Sequence, residues 1–214
     1  MKSDSIWIYG SGGHAKVVID AILAGGGAEG AIRILDDDAA RHGQRLLGIP
    51  IVGGREALSE VPFEARRLII AIGDNAIRQN LLAWAQEQSI ELLNVRHPSS
   101  TCSSSVQLAG GCFLAAGSVV MVETKLGLGT IINTAASVDH DCRIGKAAHI
   151  APGARLCGGV SIGDGALIGA GAILLPGSTV GSGARVGAGA LVVGAVEADV
   201  TVMGQPARPV GVKS

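Results

Sequence analysis

From Leu108 to Val192 the chain carries an aliphatic residue at every sixth position: Leu108, Leu114, Val120, Leu126, Ile132, Val138, Ile144, Ile150, Leu156, Ile162, Ile168, Leu174, Val180, Val186 and Val192. An α-helix repeats its apolar face every 3.6 residues and a flat strand every two, so neither accounts for this spacing. Four residues after most of these sits a small side chain, as at Ser118, Thr130, Ala136, Cys142, Ala148 and Ala154. Glycine often follows the aliphatic directly, as at Gly127, Gly145, Gly163, Gly169, Gly181 and Gly187. The period fits a parallel β-helix in which each hexapeptide makes one short strand and one corner, with the aliphatic side chain inside.

The first half has a different rhythm. SIWIY (5–9) is a short apolar run ending in the glycine turn GSGGHA, and Val17, Val18, Ala21 and Ile22 then recur at helical spacing. AIRIL (31–35) runs into Asp36, Asp37 and Asp38; RLIIAIG (67–73) predicts a third strand and DNAIRQNLLAWAQEQS a helix with Asp74 as N-cap. IELLNV (90–95) predicts a fourth strand. Alternating strands and helices argue for a small parallel α/β sheet, with ligand bound at the carboxyl ends of its strands near Gly10 to His14, Asp36 and Gly73. The amides of a glycine turn that opens a helix can cradle a phosphate. Only one mononucleotide-binding half fits before the repeat, which favours a nucleotide-sugar over a dinucleotide. The expected organisation is a nucleotide-sugar-binding α/β domain over 1–98, a linker over 99–107, and a β-helix over 108–214 of about five coils.

Composition narrows the classes further. Aromatic residues make up 2% of the chain while glycine numbers 33, as a core of Val, Ile, Leu and Ala with frequent turns requires. The 17 basic and 18 acidic residues form no run of one sign, so nucleic acid and anionic membrane surfaces are not expected partners. The N-terminal segment lacks the apolar stretch of a signal peptide and no run of 18 apolar residues occurs, which leads to a cytoplasmic expectation. The four cysteines show neither CxxC spacing nor a neighbouring histidine at zinc-finger distance, and the repeat holds two histidines where a zinc-binding relative needs three, so no metal site is expected.

The chemistry concentrates at NTAASVDHDCRIG (133–145), where His140 stands between Asp139 and Asp141. Counted from the inward Val138, His140 and Asp141 take the third and fourth positions of their hexapeptide and face outward. An imidazole that titrates near neutrality, held by a carboxylate, is suited to remove a proton from an attacking amine. The bland alternative is an exposed turn histidine with solvated aspartates on either side.

A chain carrying GSGGHA, LDD, AIGDNAIR and HPSS, followed by a hexapeptide prism containing NTAASVDHDCRIGKAAHIAPGARLCGG, resembles the nucleotide-sugar acetyltransferases related to sialic-acid O-acetyltransferases. Within that family it most resembles the UDP-4-amino-sugar N-acetyltransferases of bacillosamine biosynthesis. The resemblance implies a left-handed β-helix, a homotrimer, acetyl-CoA as donor, and as acceptor the amine of a nucleotide-linked 4-amino-4,6-dideoxy sugar. It also implies residue roles: His140 as general base and Asp141 as its orienting carboxylate; His149 near the acetyl thioester; Gly158 facing the oxyanion; Ala170 and Ala188 along coenzyme A. In the first domain it implies Gly12, Gly13 and His14 as the phosphate loop, Asp36 and Asp37 as the uridine contact, and Gly73 beside the sugar. The chain departs from the bacillosamine enzyme in having aspartate and not glutamate at position 141. GDP-perosamine N-acetylation and sialic-acid O-acetylation are the alternative reactions, and a non-catalytic nucleotide-sugar-binding scaffold is the alternative class.

Overall fold

The computed structural model describes residues 5–62 and 65–210. Its first half is a six-stranded sheet built from β1 (Ile6–Tyr9), β2 (Ile32–Leu35), β3 (Arg45–Leu46), β4 (Ile49–Gly53), β5 (Arg67–Ile70) and β6 (Glu91–Leu92), in the order β3-β4-β2-β1-β5-β6. All neighbours run parallel except the β3–β4 hairpin. That hairpin lies outside the strands read from sequence.

Two helices flank the sheet. Helix α1 (Gly13–Ala24) buries Ala15, Val18, Ile19, Ala21 and Ile22; of the expected stripe Val18, Ala21 and Ile22 face inward, while Val17 is exposed. Helix α2 (Asn75–Glu87) starts where expected, with the Asp74 carboxylate accepting the Ile77 amide hydrogen at 2.9 Å. That bond satisfies one of the four amides a helix start leaves open, worth about 1 kcal/mol.

The second half is a left-handed triangular prism of parallel two-residue strands. Phe113–Leu114 pairs with Ile131–Ile132, and Ile131–Ile132 with His149–Ile150, so each three-hexapeptide coil stacks on the next. The first face carries strands from Val95–Arg96 to Thr201–Met203, the second from Thr101–Cys102 to Leu191–Val192, and the third from Gln107–Leu108 to Ala195–Val196. Inside, the aliphatics of the repeat stack with buried Ala136, Ala148, Ala154, Ala166, Ala172, Ala184 and Ala190 into one cluster. Burying such a Val, Ile or Leu side chain contributes about 1.5–3 kcal/mol.

The glycine after the aliphatic is demanded by coil-to-coil approach. A Cβ at Gly163 would stand 2.3 Å from the Ser182 amide nitrogen of the following coil. Left-handed backbone recurs separately, every sixth residue, and falls on Ala135, Asp141 and Ala147 as well as on glycines such as Gly159 and Gly165.

Three expectations are corrected here. Residues 99–107 are not a linker: Thr101–Cys102 and Gln107–Leu108 pair with Val119–Val120 and Lys125–Leu126 as the first coil of the prism. Val95–Arg96 likewise pairs with Phe113–Leu114, so the stretch 90–95 divides between the sheet and the prism. The prism therefore has six complete coils and not the five or so expected, since each of its two shorter faces has six strands.

The two halves share core. Val95, Phe113, Ala115 and Ile131 on the first face pack with Ile8, Val18, Ile19 and Ile22 of the sheet and α1. Leu81 and Leu82 of α2 pack with Ala147 and the half-buried Leu128 at the edge between the third and first faces.

Candidate active site

His140 sits on the edge between the second and third faces, between strands Ser137–Val138 and Arg143–Ile144. Its Nδ1 lies 2.8 Å from Asp141 Oδ2, and its backbone amide donates to Asp139 Oδ1 at 2.9 Å. The side chains of His140 and Asp141 are 56% and 66% exposed, which removes the possibility of a core role. The Asp141 hydrogen bond, aided by the nearby negative charge of Asp139, raises the His140 pKa above the usual histidine range. With Nδ1 committed to Asp141, Nε2 is left to accept a proton.

Asp141 holds a left-handed backbone at φ 60°, a position the next two coils fill with Gly159 and Gly177. Among L-residues, aspartate and asparagine tolerate this region best, since the short polar side chain bonds locally. Gly158 lies one coil on from His140, with the imidazole packed against its Cα.

His149 occupies the opposite side of the molecule. It is an outward residue of the first face, under the first domain, and in a triangular cross-section that face lies opposite the edge bearing His140. Its ring meets that of His14, with centroids 6.3 Å apart, and His14 stands edge-on to Phe113 at 5.3 Å. Burial, reinforced by the Arg78 charge, lowers the His149 pKa to about 4 against a weaker opposing pull from the Gly73 carbonyl. Burial first, then His149 and Arg78, lowers His14 to about 4 as well. Both imidazoles are therefore neutral at physiological pH. Among the described residues the buried Nε2 of His14 has no hydrogen-bond partner. His14 thus turns toward His149, while Gly12 and Gly13 remain exposed with open space on the side where a Cβ would stand.

The paired aspartates diverge. Asp36 Oδ2 accepts from the Ser11 amide at 2.8 Å and the Ser11 hydroxyl at 2.5 Å, and Oδ1 accepts from the Asp38 amide at 3.0 Å. Partial burial works against ionisation of Asp36, but these bonds win and lower its pKa. Its carboxylate thus shapes the glycine turn. Asp37 instead pairs with Arg55, whose bond lowers the Asp37 pKa, and the Arg55 guanidinium lies over the rings of Trp84 (5.3 Å) and Tyr9 (5.9 Å). Tyr9, Gly10, Asp36, Asp37, Arg55 and Asn80 are among the residues lining a cavity of about 310 Å³, within the size range of small-molecule sites. Gly73 borders a second cavity of about 550 Å³ with Asp74, Asn75, Gln79, Asp164 and Arg185.

Ala170 and Ala188 are exposed on the edge between the first and second faces, one coil apart. The structure therefore brings together His140, Asp141 and Gly158 on one edge; His14, His149 and Gly73 beneath the first domain; and Asp36 with the glycine turn, while Asp37 turns to Arg55. It leaves Ala170 and Ala188 on an edge of their own. Tyr9, Arg55, Arg78 and Asn133 were not expected from sequence. Arg78 carried a signal, because it interrupts the apolar stripe formed by Leu81, Leu82 and Ala85 on the inward face of α2.

Comparison with known proteins agrees with this architecture. Residues 5–85 match the PglD N-terminal domain, 159–194 the bacterial transferase hexapeptide (six repeats), and 136–174 the hexapeptide repeat of succinyl-transferase. A GDP-perosamine N-acetyltransferase of Escherichia coli O157:H7 is 29% identical over 156 residues, 71% of this chain and 69% of that protein. The crystal structure of PerB from Caulobacter crescentus, in complex with CoA and GDP-perosamine, is 41% identical with a TM-score of 0.89 and covers 97% of both chains. The acetyltransferase domain of PglB from Neisseria gonorrhoeae FA1090, in complex with acetyl coenzyme A, is 36% identical with a TM-score of 0.89, over 97% of this chain and 99% of that one.

Proposed function

Because the chain belongs to the left-handed β-helix family of nucleotide-sugar N-acetyltransferases, which are acyltransferases, we propose that it moves acetyl from acetyl-CoA to the amine of a nucleotide-linked 4-amino-4,6-dideoxy sugar. The observation that carries this reading is the exposed His140, bonded through Nδ1 to Asp141 and free at Nε2.

In this reading the amine nitrogen attacks the thioester carbonyl carbon, the carbonyl π electrons move to oxygen, and His140 Nε2 takes the proton the nitrogen sheds. Collapse of the tetrahedral intermediate breaks the carbon–sulfur bond and releases coenzyme A as thiolate, which the His140 imidazolium protonates. No acyl-enzyme is required. The Gly158 amide is the candidate donor to the oxyanion, a role worth about 2.7–4 kcal/mol where it has been measured. Ala170 and Ala188 leave an edge without bulky side chains along which the coenzyme can lie. His149 borders the acetyl group.

One chain cannot place its own His149 beside its own His140, since the aliphatic core lies between that edge and the opposite face. A site using both residues is shared between chains, which supports a homotrimer with each active site formed where two prisms meet.

The carrier we propose is guanosine diphosphate. The relatives named for a nucleotide sugar act on or bind GDP-perosamine, which moves the assignment away from the uridine carrier expected from sequence. The chemistry of the first-domain cavity is compatible. Guanine presents one acceptor and two donors along its pairing edge, which suit the Arg55 donor and the two acceptor oxygens of Asp37. The exposed glycine turn at Gly12 and Gly13, opening α1, takes the diphosphate.

The test is thiol release from acetyl-CoA in the presence of GDP- and UDP-linked 4-amino sugars, with mass measurement of the product. Transfer of one acetyl group to nitrogen of a GDP-linked sugar supports the proposal; turnover of UDP-linked sugars alone reverses the carrier, and acetylation of a hydroxyl reverses the acceptor.

A further inference from the structure

Arg78 is a large side chain buried to 1% exposure, and among the described residues no carboxylate pairs with it at ion-pair distance. A buried guanidinium is costly unless its donors are satisfied. Here they are satisfied by the backbone of three separate segments. Nη1 donates to the carbonyls of Ile72 (2.8 Å), Gly73 (3.1 Å) and Asp74 (3.4 Å) in the loop before α2. Nε donates to the Gly129 carbonyl at 3.0 Å, and Nη2 to the Ala147 carbonyl at 2.6 Å.

Gly129 and Ala147 are equivalent positions on successive coils, both with left-handed backbone, and Gly165 continues the column. The third carbonyl is taken by Asn75, whose Nδ2 donates to Gly165 O at 2.8 Å while its Oδ1 accepts from Arg78 Nη2 at 2.7 Å. One arginine and one asparagine thus read a column of three prism carbonyls and hold the β5–α2 loop against it. On its other side Gly73 has open space where a Cβ would stand, toward the cavity of about 550 Å³.

The Gly73 carbonyl also faces His149. Asn133 Oδ1 accepts from the Thr134 amide at 2.8 Å, so its Nδ2 is directed at His149 Nε2, 3.0 Å away. Nε2 is then the unprotonated nitrogen, and the proton sits on Nδ1, available to Gly73. Arg78 and His149 meet at the same carbonyl.

We infer that Arg78 is a positioning residue for acetyl transfer: it fixes the Ile72–Asn75 loop, and through the Gly73 carbonyl the His149 imidazole, at one height on the prism. The inference rests on the proposed acetyltransfer reading for its effect on turnover, but not for its effect on His149. The groups facing His149 are His14 from α1, Arg78 from α2, and Asn133 from the prism. Loss of Arg78 removes the positive charge that helps keep both imidazoles neutral.

The test compares wild type with Arg78→Met and the milder Asn75→Ala. It measures kcat, GDP affinity by calorimetry and the His149 titration by NMR. In folded Arg78→Met, kcat falls about 10- to 100-fold, as a displacement of about 1 Å at the reacting groups can cause. GDP affinity stays within about threefold, because the glycine turn and Asp37 are untouched, a margin below one tenfold step of 1.4 kcal/mol. The His149 pKa moves up from about 4. Asn75→Ala, which frees the loop from the Gly165 carbonyl but keeps the Arg78 charge, lowers kcat by less and leaves the His149 titration close to wild type; if Arg78→Met does not fold, Asn75→Ala turnover within about threefold of wild type overturns the inference. In Arg78→Met, turnover within about threefold of wild type with an unmoved His149 titration overturns the inference, as does loss of GDP binding in proportion to kcat. If wild type transfers acetyl to no amino sugar, the functional proposal fails, while the His149 titration still judges Arg78.

Discussion

The imidazole of His140 lies against the α-carbon of Gly158, one coil along the same edge: a methyl built on Gly158 would stand 2.4 Å from Cε1 and 2.5 Å from Nε2. The close approach sets the ring's height above the prism and leaves room for nothing larger than hydrogen at Gly158. Gly158→Ala is therefore expected to push the imidazole off Asp141 and lower kcat by about 10- to 100-fold, on the scale of a 1 Å misplacement. The melting temperature should hardly change, since the ring moves into solvent. Kinetics and a thermal melt on the same preparation check both halves.

Asp141 combines orientation of the base with a left-handed backbone, and its variants should separate the two. Asp141→Asn removes the carboxylate that raises the His140 pKa, so the acid limb of kcat/KM should move to lower pH while kcat falls by less than in His140→Ala. The sign follows from the base form being active: activity rises with pH through the pKa, and lowering that pKa brings the rise earlier. Asp141→Gly should be at least as stable as wild type, because glycine adopts φ 60° without strain, yet should lose turnover like Asp141→Asn.

Asp36 and Asp37, adjacent in sequence, should respond differently. Asp36→Ala leaves the Ser11 amide and hydroxyl and the Asp38 amide without their acceptor and should destabilise the first domain by about 1–3 kcal/mol. Asp37→Ala should weaken GDP binding in a protein that melts near the wild-type temperature, with acetyl-CoA affinity unchanged. Calorimetric titration of both ligands alongside denaturant unfolding distinguishes the two.

Placement of His140 and His149 on opposite sides of one prism predicts complementation. His140→Ala and His149→Ala chains, each weakly active alone, should form mixed trimers when co-expressed, in which a quarter of the shared sites, roughly, recover both histidines. Activity regained on co-expression, with light scattering at three times the single-chain mass, is the expected result; active protein at the mass of one chain would contradict a shared site.

The prism was legible in sequence because every inward position from Leu108 to Val192 is aliphatic, and the period survives with no alignment. Its first coil was not. Stepping back by six from Leu108 meets Cys102 and then Arg96, and the first coil shows itself only through pairing with Phe113 and Val119. The far end drifts for a similar reason, since Val196 follows Val192 after four residues and not six.

Within the site, His140 stood out because the repeat sets it outside, and Asp74 because it sits at a helix start. The division between Asp36 and Asp37 was not legible: which carboxylate turns back on Ser11 depends on a partner 25 residues away. Arg55 and Asn133 act through residues distant in sequence or on a neighbouring coil, and their types alone give no signal.

The account rests most directly on His140 as the base, and the turnover of His140→Ala under saturating substrates measures it. The account predicts a kcat about 10²- to 10⁴-fold below wild type, the usual worth of a general base. The melting temperature should stay close to wild type, because a side chain 56% exposed leaves no core cavity when removed. A folded His140→Ala protein whose kcat stays within about threefold of wild type, well short of that general-base range, would contradict the assignment and leave positioning of the amine against the thioester as the source of rate.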